Sequence, residues 1–353
     1  MRSSLMTLTR AGGWIATCLL LLPSCGSETS ANLDVQLTGS TMGTTWHAKL
    51  PSGVRTAPAP EVAELYREAA NLALAEIDGL MSTYKPDSDL SIFNRAPAGR
   101  WVPVSPLTLE VALQALAWAE QSEGAFDPTV MPLVEAWSFG PTERQPGAPT
   151  EKQLRKVRKL VGWEHIQFQE SPPALRKDLN GVQLDFSAIA KGFGADYASA
   201  ALQEAGASSF MLEVGGELLV HGTKPNRSPW KIAIEQPNDN ASFGSSSQIT
   251  VPLMSGQALA TSGDYRNYRV LDGKRISHSI DPRTGRPIEH NLASVSVLAK
   301  DCMTADALAT TVMVLGAEEG MKLIESLPET EALLILRVEE GFENQASTNW
   351  PSL

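Results

Sequence analysis

Apolar residues recur at helical spacing through several stretches of the chain. Val62, Leu65, Ala69, Leu72, Leu74 and Ile77 fall near one face of Glu61–Leu80, which predicts an amphipathic helix. Leu107–Glu120 repeats the pattern, with Ser105-Pro106 as its start. A short charged helix is expected over Glu151–Leu160, and a longer one over Ala188–Ala205, opened by Asp185 and Ser187. Thr304–Leu315 and Glu318–Leu327 predict two more near the C-terminus. Between them lie strand-like runs: Ser209–Val220, Trp230–Glu235, Gln248–Leu253, Ala258–Thr261 and Ala293–Leu298. Helices and strands come in blocks, which favours an α+β fold with mixed, largely antiparallel sheets over a doubly wound parallel one.

Gly140–Thr150 and Asn238–Ser247 are rich in turn-forming residues and predict surface insertions, the second a hairpin tip. Of 353 residues, 42% are hydrophobic and 20% charged, which excludes wholesale disorder. The formal charge of −11 argues against a nucleic-acid partner, which calls for a basic surface. The three cysteines, Cys18, Cys25 and Cys302, cannot build a disulfide framework.

The N-terminus changes the picture. Arg2 and Arg10 precede a short apolar run, Trp14–Leu22, too short for an ordinary membrane span. Leu22-Pro23-Ser24-Cys25 is similar to a bacterial lipobox, in which the thiol takes a lipid before cleavage. Residues 1–24 are therefore expected to be a lipoprotein signal peptide, 25–37 a lipidated tether and 38–353 the folded body, held on a membrane and facing the periplasm or cell exterior. The alternative is plain secretory cleavage with Cys25 incidental.

Candidate chemistry lies in short segments, each with two readings. Thr38–Thr45 (TGSTMGTT) is a strand with a bulge or a close backbone approach to a ligand. Tyr84, in a polar loop, either stacks on a flat ring or caps the core. Asp127, extended by Pro128, presents a carboxylate from a loop or caps a following helix. Asp185 and Lys191 flank a helix start, a natural phosphate site, and Lys191 places a cation where structure alone prefers an acid. Gly215-Gly216 marks a bulge beside a ligand or another backbone. His278 and Asp281 sit on a short strand and its exit turn. Asp306 and Thr310 are four apart on one helix face, offering oxygen donors to a hard cation or simply a hydrogen-bonded surface.

Taken in order, these segments resemble the ApbE-type family of FAD:protein FMN transferases, from Gly39 to about Ser326. Ser262–Tyr268 (SGDYRNY), Ser277–Asn291 (SHSIDPRTGRPIEHN) and Thr304–Gly316 (TADALATTVMVLG) carry most of the likeness. The resemblance implies a two-part fold similar to the tunnelling fold, with FAD in the cleft. By position, it implies FAD contacts from Met42, Tyr84, Ala125, Phe126, Asp127, Asp185, Lys191 and Ile280. It implies a Mg²⁺ ion on the Ala188 carbonyl, the Asp306 carboxylate and the Thr310 hydroxyl, completed by waters or phosphate oxygens. A Ser or Thr hydroxyl of an exported or membrane flavoprotein would attack the FMN-side phosphorus and release AMP. His278 is the candidate general base, with Asp281 orienting it or deprotonating instead. Two rival readings keep the same residues: an FAD pyrophosphatase, with water as nucleophile, and a non-catalytic flavin-binding lipoprotein.

Overall fold

The computed structural model describes residues 34–51, 59–142, 147–237, 248–264, 268–271 and 273–351. The signal peptide and most of the tether lie outside them, as do the 238–247 tip, part of the 140–150 insertion and Tyr265-Arg266-Asn267. The body from Asn32 onward is one compact unit.

Seventeen strands form among the described residues. They are β1 (Val35–Thr41), β2 (Thr44–Leu50), β3 (Val102–Pro103), β4 (Ile166–Gln169), β5 (Ala174–Lys177), β6 (Phe210–Val214), β7 (Glu217–His221), β8 (Trp230–Glu235) and β9 (Gln248–Leu253), followed by β10 (Gln257–Gly263), β11 (Tyr268–Leu271), β12 (Lys274–Ser277), β13 (Ile280–Asp281), β14 (Arg286–Pro287), β15 (Leu292–Ala299), β16 (Glu331–Val338) and β17 (Gly341–Ala346). Eight make one sheet in the order β1-β2-β6-β7-β10-β15-β16-β17, every neighbouring pair antiparallel. β17 closes one edge with all six residues exposed.

The helices are α1 (Pro60–Met81), α2 (Asp89–Arg95), α3 (Pro106–Gln121), α4 (Met131–Ala136), α5 (Glu151–Val157), α6 (Ala190–Glu204), α7 (Cys302–Leu315) and α8 (Ala317–Ser326). On one face of the sheet, α1 and α6 pack Ala70, Leu74, Ala198 and Leu202 against Trp46, Phe210 and Leu212. On that side α7 packs Leu308 and Val312 against Val295, Val297 and Leu334. The β8–β9 ribbon lays Trp230, Ile232 and Val251 over Val220, Leu259 and Leu298. A small cluster of Leu133, Trp137, Leu154 and Ile280 sits beside the β13–β14 turn.

Local differences from the expected elements have physical causes. α1 turns its face by part of a turn: Tyr66, Ala70, Ala73, Leu74, Ile77 and Met81 are buried, while Leu65 and Leu72 stand in water. Small alanines at 70 and 73 let α1 approach α6, and spacing of large residues alone misplaced the face. The Ser209–Val220 run is not one bulged strand. Gly215 (φ 62°) and Gly216 (φ 109°) form the two-residue turn of the β6–β7 hairpin. The chain enters β1 at Val35, inside the stretch expected as tether. The helix expected from Ala188 begins at Ala190, because residues 187–189 form a turn before it.

Lys177 on β5 is 1% exposed and has no carboxylate in contact. Its ammonium donates to the carbonyls of Asn94 (2.9 Å) and Val182 (2.8 Å) and lies over the Phe93 ring. Burial pulls its pKa down to about 8. A folded-state pKa below the unfolded value means the unfolded chain binds more protons between the two. The cost of charged Lys177 is therefore full below pH 8 and relieved as pH rises towards 10.5. The unfolding free energy of wild type minus that of Lys177→Met should increase across this window in denaturant titrations. A difference flat with pH would contradict the buried charge.

Candidate functional site

The site grows from the start of α6. Extended chain over residues 182–186 turns at Ser187–Ile189 into the helix, with Asp185 accepting a hydrogen bond from the Ser187 backbone (2.8 Å). No N-cap side chain closes α6; Ala190 N donates instead to the Phe186 carbonyl (2.7 Å). In the first turn Gly192 N donates to Asp306 Oδ2 at 3.0 Å. α7 comes close enough because residue 192 has no side chain. A Cβ there would lie 2.2 Å from the Cys302 carbonyl oxygen and 2.9 Å from Asp306 Cβ. The glycine thus sets the distance between the two helices.

Asp306 is 2% exposed. Lys191 Nζ lies 3.4 Å from each of its oxygens and 3.0 Å from Glu217 Oε1. Glu217, at the start of β7, is 3% exposed, and its Oε2 has no hydrogen-bond partner. Burial pushes the Glu217 carboxyl well above the ordinary range, while the Lys191 charge pulls it back. Burial also works against the Lys191 charge, but Asp306 and Glu217 outweigh it and hold the ammonium above its usual value. One turn along α7, Thr310 Oγ1 is 3.3 Å from Ser262 Oγ on β10.

These donors fit a hard divalent ion. Two buried carboxyl groups share one ammonium, and a buried Glu217 oxygen lacks a partner. Among the described residues no three His, Cys, Asp or Glu converge as a metal cage. Mg²⁺ needs none, since it takes one or two carboxylates and fills its shell with water and phosphate oxygens. The Ala188 turn leads directly into the helix that touches Asp306, so Ala188, Asp306 and Thr310 belong to one region.

The N-terminus of α7 is fixed twice. Asp301 caps it through Thr304 N (2.7 Å), and Asp196 of α6 accepts from Cys302 N and Met303 N (both 2.9 Å). Burial raises the Asp196 pKa to about 7. Cys302 is fully buried and burial pushes its thiol up, so it is a packing residue.

The expected flavin contacts separate into distinct settings. Met42 occupies the β1–β2 turn with φ 47° and packs onto α6 at Gly194. Tyr84 is 72% exposed, so it does not cap the core and its ring is open to a ligand. Ala125 and Phe126 are buried, leaving mainly backbone to offer. Asp127 caps no helix: its carboxylate accepts from Thr129 N, Thr129 Oγ1 and Trp163 N, and burial raises its pKa to about 6. Ile280 has its side chain in the cluster with Leu133 and Trp137. His278 is half-buried and meets the Phe139 ring edge-on. Asp281 lies at the start of the turn after His278. Its carboxylate grips Arg283 (3.0 and 3.1 Å) and its carbonyl takes Gly285 N (2.8 Å), shaping the turn. Gly192 and Glu217 carry roles that sequence reading did not give them. A glycine inside a helix and an acid opening a buried strand are the signals that mark them.

Comparison with known proteins follows this geometry. The model of the ApbE family matches residues 42–334. A relative from Vibrio cholerae serotype O1, named FAD:protein FMN transferase, is 40% identical over 96% of this chain and 97% of its own length. The solved structure of the flavin transferase ApbE from Vibrio cholerae is similar with a TM-score of 0.78 at 40% identity, covering 90% of this chain and 97% of that one. The apo form of the Pseudomonas stutzeri flavinyl transferase ApbE gives a TM-score of 0.78 at 37% identity, covering 90% and 95%.

Gly192→Ala should force α6 from α7 and cost about 1–3 kcal/mol, the usual penalty of overpacking. Chemical denaturation measures the cost. Undiminished stability would show that Gly192 does not set the helix spacing.

Proposed function

The chain belongs to the ApbE family and is an FAD:protein FMN transferase, and from that premise we propose that it works with Mg²⁺ and delivers FMN to a Ser or Thr hydroxyl of an exported or membrane flavoprotein. The observation that carries the metal reading is the 3.0 Å hydrogen bond from Gly192 N to Asp306. It joins Asp306, the one acidic residue of α7, to the phosphate-suited start of α6. Ala188, Asp306 and Thr310 would hold the ion. Bound there, Mg²⁺ supplies charge neutralisation for the diphosphate and for the departing AMP.

The remaining work falls to the chain's own residues. The positive end of the α6 dipole and the Lys191 ammonium attract the diphosphate. The exposed Tyr84 ring offers a stacking face for the isoalloxazine or adenine. Met42, Ala125, Phe126, Asp127, Asp185 and Ile280 shape the surroundings, several of them through backbone. His278 takes the proton of the acceptor hydroxyl as its oxygen bonds to the FMN-side phosphorus and the bond to AMP breaks. Asp281 serves by fixing the turn that follows His278.

Incubation with FAD, Mg²⁺ and a candidate acceptor should release AMP and leave flavin on the acceptor, seen as in-gel fluorescence. Asp306→Asn should abolish both, and His278→Ala should slow transfer by about 10²–10⁴-fold. Free FMN with AMP, and a dark acceptor, would make the protein a hydrolase. FAD retained without turnover would make it a binder.

The lipobox-like Leu22–Cys25 supports a lipid anchor on Cys25, with the body held outside the cytoplasmic face. Among the described residues no helix is long and apolar enough to cross a membrane. Cys25→Ser should move the protein from the membrane to the soluble fraction of fractionated cells. An unchanged distribution would remove the anchor from this reading.

A further inference from the structure

Glu217 has no place in the reaction as derived so far, yet it is among the most deeply buried acids of the molecule. It opens β7, directly after the Gly215-Gly216 turn. That turn faces α6: a Cβ on Gly215 would sit 3.5 Å from Lys191 Cδ. The lysine stem therefore runs past a bare backbone on its way to two carboxylates on different elements, Glu217 on β7 and Asp306 on α7.

The two contacts are unequal. Lys191 Nζ is 3.0 Å from Glu217 Oε1, a normal charge-assisted hydrogen bond, and 3.4 Å from both Asp306 oxygens. The ammonium straddles Asp306 loosely and holds Glu217 firmly. A lysine is a compact point charge on a flexible stem, so it can leave one partner while keeping the other. Asp306 already has a hydrogen bond from Gly192 N, which keeps the carboxylate in place when the ammonium moves. Leaving both acids without any cation would be costly, because buried unpaired carboxylates lose their hydration.

We propose that Lys191 is a resident stand-in cation that competes with the divalent ion for Asp306, and that Glu217 is the positioning residue that anchors Lys191 and receives it when the ion arrives. The inference rests on the ion-binding reading of Asp306 given above. It explains why a lysine occupies the first turn of a helix, where an acid is favoured, and why an acid without a reaction role is buried beside it. The stand-in keeps the empty site from carrying two bare negative charges. The anchor keeps the displaced ammonium beside the diphosphate instead of leaving it on a free-swinging chain.

The test is a double-mutant cycle read by Mn²⁺ binding, followed by the EPR signal of free Mn²⁺, on the FAD-free protein at constant pH. Removing the competitor in Lys191→Met should tighten Mn²⁺ about tenfold. Glu217→Gln alone should weaken it about tenfold, because the ammonium then stays on Asp306. In the Lys191→Met background the same Glu217→Gln change should cost under about threefold. Mn²⁺ binding loosened by Lys191→Met, or an equal cost of Glu217→Gln in both backgrounds, would overturn the proposal, the second by making Glu217 a charge acting in its own right. Should Lys191→Met fail to fold by circular dichroism, Lys191→Arg carries the test. A guanidinium fork spanning both carboxylates should weaken Mn²⁺ about tenfold, and unchanged affinity refutes the competition. Asp306→Asn separates the two levels. If it leaves Mn²⁺ binding intact, the ion-binding reading itself fails. If it removes binding while the cycle shows no coupling, only the present inference falls.

Discussion

The contact on which the rest depends is that between α6 and α7 at Gly192. There a missing side chain lets a backbone N–H reach the carboxylate of Asp306. Because α6 begins beside the Ala188 turn and α7 carries Thr310 one turn further on, this approach assembles donors from segments more than a hundred residues apart. The large sheet supports it from below, holding α7 through Val295, Val297 and Leu334 and α6 through Phe210 and Leu212. Asp196 then pins the start of α7 to α6 with two backbone hydrogen bonds. Asp306 and Thr310 are thus positioned by helix packing, as a preorganised charge site requires.

Around this rigid floor the residues proposed to meet the flavin are arranged on turns and loops. Met42 stands on the β1–β2 turn in a left-handed conformation, and Tyr84 projects from the loop after α1. Asp127 and Thr129, hydrogen-bonded to each other, tie the loop after α3 to the Gly162-Trp163 segment through two hydrogen bonds, which stiffens a loop without regular structure. Asp281 and Arg283 do the same for the turn after His278. Several residues that sequence reading assigned to the ligand, Asp127 and Asp281 among them, shape their own loops through hydrogen bonds.

Much of this was legible beforehand. The blocks of helix and strand gave the α+β class, because antiparallel neighbours need only short turns. Asp306 and Thr310 were readable as a pair through their spacing, and Asp185 and Lys191 through their place at a helix start. What escaped was anything decided by partners distant in sequence. The true face of α1 depends on Ala70 and Ala73 fitting α6, which no local pattern reveals. The hidden acid Glu217 looks ordinary until β7 is placed beside α6. The pairing of Asp281 with Arg283 also depends on how the turn after His278 folds, which the residue types alone do not reveal.

The exposed strand β17 has a consequence for the molecule's behaviour in company. Its outer side offers unpaired backbone groups, an invitation to another strand. Among the described residues no helix or loop covers its six residues, yet Glu343 lies on it and Glu339 and Glu340 stand in the turn before it. The edge is guarded by repulsion, and repulsion between solvated charges fades as salt shortens its range. The insulation of this edge from a second strand therefore depends on the ionic strength around it.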